Sequence, residues 1–340
     1  MKSKSKKNTI YQVAQHAGVA ISTVSRVLND SPNVSDDTKA KVKQAIKDLN
    51  FRPQVSARNL ASRKPQMLAI AVPSFTTPYY TEILKGLKDE IKELDLDIVI
   101  YNTGSKNPEE GVENFFSRGT ADAVIIISIT ISNTVHEMIK HSGIPTILIG
   151  SSHPEYNYFE MNNRKGGFIA GEHLIKQGYE KIGMILPAIK TKASSERYAG
   201  FIDALKEFKM PVYDQLFVRG ESTKHAGFTE EAGFEAIYQF ERLGEYPDAI
   251  FCSNDTQAIG AYNAIDKLGM KIPDDIALMG YDGIKFTKYL DLTTVDQKMY
   301  TVGVQATRRL ADIINHADDK LVQTNIDPVL VQRRSTTKIK

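Results

Sequence analysis

Two short helical signals joined by one turn glycine, in residues 9–29 (TIYQVAQHAGVAISTVSRVLN), constrain this chain more than any other feature. Thr9 with Gln12 three residues on forms a capping box, which predicts the start of a short helix. Val13, Ala14 and Ala17 put small apolar groups on its inner side. Gly18 follows at once and supplies the sharp turn. A second helix is expected from about Ile21 to Leu28, with Val24, Val27 and Leu28 facing inward. Ile21, Ser22, Ser25, Arg26 and Asn29 are left outside. This is the layout in which a second helix lies in a DNA major groove with its N-terminal residues on base edges. A small helical pair with an ordinary polar surface is the competing reading.

Charge divides the chain in the same place. Residues 1–64 hold 13 Lys and Arg against 4 Asp and Glu, whereas the remainder holds 30 against 37. A basic head on an acidic body fits polyanion binding confined to the head. Lys2, Lys4, Lys6 and Lys7 alone could be a solvated tail, but Arg26, Arg52, Arg58 and Arg63 are expected inside structured elements. At 340 residues one small and one larger unit, or three similar ones, are expected. The single cysteine, Cys252, sits in the apolar run Ala249–Cys252 and reads as a buried small hydrophobe, with no disulfide framework or thiolate metal cluster. The basic start lacks an apolar h-region, and no run of about 18 apolar residues exists. A soluble cytoplasmic protein without a membrane span is expected.

From Pro65 onward the pattern changes to strand–helix alternation. Strands are predicted at Met67–Val72, Asp97–Tyr101, Ala123–Ser128 and Thr146–Ile149, then at Lys181–Leu186, Gln215–Val218, Ala249–Cys252 and Ala277–Tyr281. Each is a near-continuous apolar run, as expected of strands buried on both faces of a parallel sheet. Amphipathic helices fall between them, at Tyr80–Leu94, Gly166–Gln177, Arg197–Phe208 and Thr256–Leu268. The class is doubly wound α/β, in two similar halves that suggest two lobes. In such folds ligands bind beyond the carboxyl ends of the strands.

Val13-Ala14, Ala17-Gly18-Val19 and Ser22 through Asn29 resemble the signature of the LacI/GalR family of bacterial transcription regulators. The resemblance continues through a third helix (Ser35 through Leu49), the segment Asn50-Phe51-Arg52-Pro53 and a linker from Val55 to Ser62. Further signatures recur to about Gln297, so it covers nearly the whole chain. It implies an all-α helix-turn-helix DNA-binding head over 1–52 and a hinge helix over 53–64. A two-lobed, periplasmic-binding-protein-like core for effector binding and dimerisation follows over 65–340. Its N-lobe is expected at about 65–163 plus 296–325 and its C-lobe at about 164–295 plus 326–340, with three crossovers. The implied function is a sequence-specific repressor controlled by a small-molecule effector, a sugar or sugar derivative, bound between the lobes. Implied partners are a near-palindromic double-stranded operator and a second copy of the chain, with no cofactor and no metal.

Under the resemblance, base-contacting positions fall on Ile21, Ser22 and Arg26. Arg26 can donate two parallel bonds to guanine, Ile21 can meet a thymine methyl, and Ser22 can bond almost any base edge. Thr23, Ser25 and Asn29 are expected on phosphates. Tyr11 matches a backbone-contacting position, with a partly buried Tyr as the alternative. Ala20 replaces a hydroxyl residue, so the helix cap is lost or shifts to Ser22. In the hinge, Leu60, close after Ala57, matches a minor-groove wedge that bends the duplex; packing against the lobe below is the alternative.

Effector candidates are Ser74, Phe75, Tyr79 and Tyr80 on one side, with Arg197, Asn254, Asp255 and Asp282 on the other, and Ser128 and Gln297 as weaker candidates. Arg197 can hold hydroxyls or a carboxylate bidentately, and Asp282 can accept hydroxyl protons. Asp255 reads equally as a helix cap. Ser151, Asn162 and Phe228 are weaker candidates, Asn162 standing where many relatives have Asp. Lys190, Thr191, Lys192 and Ser194 lie where relatives hold polar contacts, so a phosphorylated effector follows if the lysines face the cleft. The seven histidines show no HExxH spacing, and there is no GxSxG, GxxxxGK[ST] or strand-following GxGxxG. One firm cleft carboxylate rather than a matched pair argues against an enzyme. A solute-binding receptor and a regulator with a protein co-effector, of the carbon-catabolite type, are the rival readings.

Overall fold

Among the described residues, three helices build the first of two compact units, Met1–Pro65 and Gln66–Lys340, into which the computed structural model divides. Residues 9–28, 31–51, 67–92, 94, 96–119, 121–318 and 320–338 are described. α1 (Ile10–Ala17) opens on the capping box, the Gln12 carboxamide oxygen accepting the Thr9 N–H at 2.8 Å. Gly18, at φ +66, turns the chain out of it. α2 (Ile21–Leu28) starts with the Ala20 carbonyl accepting from Thr23 and Val24, so Ser22 lies inside the helix and the cap has not moved to it. α3 (Asp36–Asp48) is capped by Ser35 and carries Asp36 and Asp37 in its first turn, where the helix dipole favours negative charge. Val13, Val24, Val27, Val42 and Ala45 are buried together between the three.

The second unit holds two six-stranded sheets. The first is made of β1 (Met67–Val72), β2 (Asp97–Asn102), β3 (Ala123–Ile127), β4 (Thr146–Ile149), β5 (Asn157–Met161) and β11 (Gln323–Ile326). The second comprises β6 (Ile182–Leu186), β7 (Phe217–Arg219), β8 (Ala249–Cys252), β9 (Ala277–Asp282), β10 (Thr293–Asp296) and β12 (Val329–Val331). Strand orders are β11-β5-β4-β3-β1-β2 and β12-β10-β9-β8-β6-β7. The pairings are parallel except β12 against β10, which is antiparallel. Connecting helices are α4 (Pro78–Ile91), α5 (Pro108–Phe116), α6 (Asn133–Ser142), α7 (Asn163–Lys176), α8 (Lys192–Glu207), α9 (Glu230–Leu243), α10 (Asp255–Lys267) and α11 (Met299–Ile314). The chain passes from one sheet to the other at Asn162, at Gln297–Lys298 and at Asp327–Pro328. These passages cluster at the β5/β11 and β10/β12 ends, so the opposite edge strands, β2 and β7, carry none.

The central strands are buried on both faces as their apolar runs imply. β2 is not: it is outermost, paired on one side only, and Ile98, Val99 and Ile100 are 40% to 46% exposed. The run expected at Gln215–Val218 is also displaced. Asp214–Leu216 forms a 3-10 turn, the Leu216 N–H bonding back to Tyr213, and the strand begins at Phe217. Gly167 and Gly171 belong to helix packing, since a Cβ on Gly167 would stand 1.9 Å from the Arg197 carbonyl oxygen and one on Gly200 1.8 Å from that of Arg164, whereas one on Gly166 would meet the Tyr281 side chain of β9. α7 and α8 touch there backbone to backbone, which brings Arg197 within reach of Asn163.

Candidate functional site

On the head, Ile21, Ser22 and Arg26 are exposed on the outer face of α2, while Thr23 and Ser25 are half-buried. Tyr11 is 68% exposed, which excludes the buried alternative within this unit. Asn29, Ala57 and Leu60 lie outside the described residues, as does the rest of the hinge.

Within the second unit, loops at the carboxyl ends of both sheets enclose a cavity of about 470 Å³, within the range of ligand pockets. Tyr79, Tyr80 and Ser128 line it from the first sheet, and Arg197, Asn254, Asp282 and Gln297 from the second and its crossover. The buried Arg197 is held on several sides. Its Nε donates to Asn163 Oδ1 at 2.9 Å, Nη1 donates to the Ser253 carbonyl at 2.6 Å, and the guanidinium lies 3.9 Å over the Tyr281 ring. Asp282 Oδ1 stands 3.7 Å from Arg197 Nη1 and accepts from Gln297 Nε2 at 2.6 Å. Asp282 has φ +123, a conformation rarely taken by L side chains. Burial pushes its carboxyl up to about 8 against the pull of Arg197. Burial also pushes the Tyr79 phenol up to about 12; its oxygen accepts from Ser128 Oγ at 3.4 Å.

Three residues that line the cavity, Thr77, Ser151 and Gln297, each carry a buried side-chain oxygen with no hydrogen-bond partner among the described residues. An orphaned polar atom of this kind carries a desolvation cost.

Several expectations need correction. Asp255 neither lines the cavity nor caps its helix. Asn254 is the cap, its Oδ1 accepting from the Gln257 N–H at 2.9 Å. The Asp255 carboxylate instead accepts from the Gly283 and Ile284 N–H groups at 2.7 and 2.8 Å and from Thr294 Oγ1 at 2.6 Å. Ser74 is buried and its Oγ accepts the Thr76 N–H at 3.3 Å; that turn leaves Phe75 in solvent, so neither lines the cavity and Thr77 does. Asn162 caps α7 and donates to Asp327 at the crossover. Ser194 is taken up in the Thr191 cap, and Lys190 is exposed away from the cavity. Lys192 does line it, but its ammonium sits 2.5 Å from Glu160. Phe228 and Ser151 line the cavity as well, together with residues that sequence reasoning missed: Asn163, Ser105, Asn107, Glu109 and His225.

Comparison with known proteins fits this geometry. Residues 9–54 match the family described as bacterial regulatory proteins, lacI family, and residues 172–336 match a periplasmic binding protein-like domain. A curated relative, the HTH-type transcriptional repressor PurR of Mannheimia succiniciproducens, is 31% identical over 97% of this chain and 99% of its own. Two solved structures are similar. One is the transcriptional regulator CelR in a cellobiose complex (27% identity, 97% of this chain and 100% of that chain, TM-score 0.68). The other is a LacI family regulator from Enterococcus faecium with bound ribose (25% identity, 81% and 100%, TM-score 0.70). The chain belongs to the lacI family of bacterial regulatory proteins. It is a DNA-binding transcriptional repressor under small-molecule control.

The Asp282 carboxyl yields a pH signature. A ligand hydroxyl placed against this carboxyl would bond its ionised form better, so affinity for such a ligand should rise from pH 6 to pH 9 as the carboxyl, held up near 8, loses its proton. Calorimetry near pH 7 in buffers of different ionisation enthalpy should register proton release on binding, absent in Asp282→Asn. A wild-type binding heat independent of buffer would contradict this assignment.

Proposed function

We propose that the protein acts in the cytoplasm as a homodimeric repressor whose cleft senses an uncharged sugar. One observation carries the ligand class. Among the described residues, each of the two Lys or Arg side chains lining the cavity, Arg197 and Lys192, already stands beside an acidic side chain, while hydroxyl and amide groups of Tyr79, Ser128, Asn254 and Gln297 line the rest. The phosphorylated effector that free cleft lysines would call for is therefore disfavoured. The sugars named with two structural relatives support the same reading. A ligand touching groups of both sheets favours one lobe arrangement and shifts the operator-competent population by its differential affinity.

On the operator, Arg26 reads a guanine and Ile21 and Ser22 read its neighbours, with Tyr11, Thr23, Ser25 and Asn29 on the backbone. Ala57 and Leu60 meet the minor groove. One such helix reads few base pairs, so two copies on a near-palindromic site are needed. The exposed apolar edge of β2, together with Phe286 and Tyr289, which stand in solvent on the isolated chain, suits a partner copy.

Three experiments test this. In a thermal-shift screen of the full-length protein against sugars, sugar phosphates and nucleobases, an uncharged sugar should raise the melting temperature, and Arg197→Ala and Asp282→Ala should each abolish the shift. A response confined to sugar phosphates or to nucleobases would refute the sugar assignment. Arg26→Ala should cost roughly 1–3 kcal/mol of operator affinity in gel shifts and relax specificity at one base pair per half-site. An unchanged base preference would remove Arg26 from readout. Ile100→Asp should convert the dimer to monomers in sedimentation and weaken operator binding with it; a dimer that persists would place the interface elsewhere.

A further inference from the structure

Polar groups line the cavity from one side of the sheets to the other, and between a central set and an edge set stand Thr77, Tyr79 and Tyr80 after β1 and Asn254 after β8. Ser128, Ser151, Asp282 and Gln297 follow or end strands β3, β4, β9 and β10. Ser105 and Glu109 follow β2, and His225 and Phe228 follow β7, at the opposite sheet edges. Neighbouring strands lie about 4.8 Å apart, so two or three spacings, roughly 10–14 Å, separate Ser105 and Glu109 from Ser128 and Ser151, and three or four, roughly 14–19 Å, separate His225 and Phe228 from Asp282 and Gln297. Both spans exceed one sugar ring, so a ligand that reaches both groups needs a second ring.

The outer set is built rather than incidental. Ser105 Oγ stands 3.3 Å from His225 Nδ1, a contact between the two sheets' loops at the edges that no crossover ties. His225, Ala226 and Gly227 take φ +49, +60 and +93 in succession. Their neighbours hold them there: the Ile189 N–H donates to the Ala226 carbonyl at 3.0 Å, and the fully buried Gln257 donates to the Gly227 carbonyl at 2.8 Å. A Cβ on Gly227 would come within 2.3 Å of the Ala188 nitrogen, so the loop packs tightly at that point. Strained non-glycine backbone persists only where surroundings over-determine it, and it concentrates at ligand clamps. An imidazole, a hydroxyl and a carboxylate supply donors and acceptors for sugar hydroxyls, and Phe228 supplies an apolar face for a ring.

We propose that His225, Ser105 and Glu109 form an outer subsite for the second ring of an uncharged disaccharide whose first ring sits at Asp282 and Arg197. The assignment rests on the sugar reading of the cleft. It makes His225 the residue that discriminates a two-ring ligand from a single ring.

Calorimetry on the full-length protein with matched sets tests it: D-glucose with cellobiose and maltose, D-galactose with lactose and melibiose, D-fructose with sucrose, and D-ribose alone, beside adenine and hypoxanthine. One disaccharide should bind at least about tenfold more tightly than either component monosaccharide. His225→Ala, and Ser105→Ala from the other sheet's loops, should each collapse that preference to about threefold or less, with melting temperatures close to wild type. A monosaccharide that binds as tightly as every disaccharide containing it overturns the outer subsite, as does a preference surviving in both variants. Binding of a nucleobase and of no saccharide overturns the sugar reading itself, and this inference with it.

Discussion

The cavity is organised around one buried pair, Arg197 with Asp282. Taking a guanidinium and a carboxyl group out of water is costly, which is what holds the carboxyl up, and the cost is offset only where the remaining donors and acceptors are satisfied. At 3.7 Å the pair itself is loose, so the surrounding bonds matter more. Arg197 has Asn163, the Ser253 carbonyl and the Tyr281 face; Asp282 has Gln297. Asn163 is the first residue of α7, and Arg197 lies in α8. The glycines that let these helices touch are therefore as much a part of the site as the charges.

The arrangement is asymmetric. The second sheet presents a preorganised charged clamp, whereas the first presents tyrosines and hydroxyls. Tyr79 and Tyr80 stand edge to face at 5.0 Å and pack into the first sheet's core. Ser128 reaches Tyr79 from a positive-φ position. A ligand that first meets the second sheet's clamp and then engages these groups makes its differential contacts with the first. Differential contact is what can bias a two-state repressor.

Much of this was legible in the sequence, and the misses have physical causes. The capping box, the turn glycine and the long apolar runs are local signals, and the helices and central strands fall where those signals put them. β5, β10, β11 and β12 were not foreseen because their segments (NYFEM, TTVD, QTNI, VLV) are short or polar, and pairing partners distant in the chain make them strands. The resemblance pointed to Arg197, Asp282 and Gln297, and all three line the cavity. It could not supply Ser105 and His225, which lie 120 residues apart and meet only because β2 and β7 are corresponding edges of two sheets. Nor could periodicity tell that the apolar run of β2 would lie at an edge.

Asp255 shows most clearly how a correct motif can yield a wrong role. A carboxylate just after a strand and at a helix start suggests either a cap or a ligand contact. What decides is Gly280 on the neighbouring strand, where a Cβ would stand 2.1 Å from Asp255 Oδ1. The missing side chain opens the space into which the carboxylate turns, and there it accepts the two N–H groups that directly follow Asp282. Asp282 at φ +123 and Gly283 at φ +79 would relax if those N–H groups were free to turn toward other partners. Burial works against the ionised form of Asp255, pushing its carboxyl up to about 6, while those two N–H groups and the Thr294 hydroxyl pull the other way. The conformation that aims the Asp282 carboxylate is thus held from beneath by a second carboxylate that the cavity never meets.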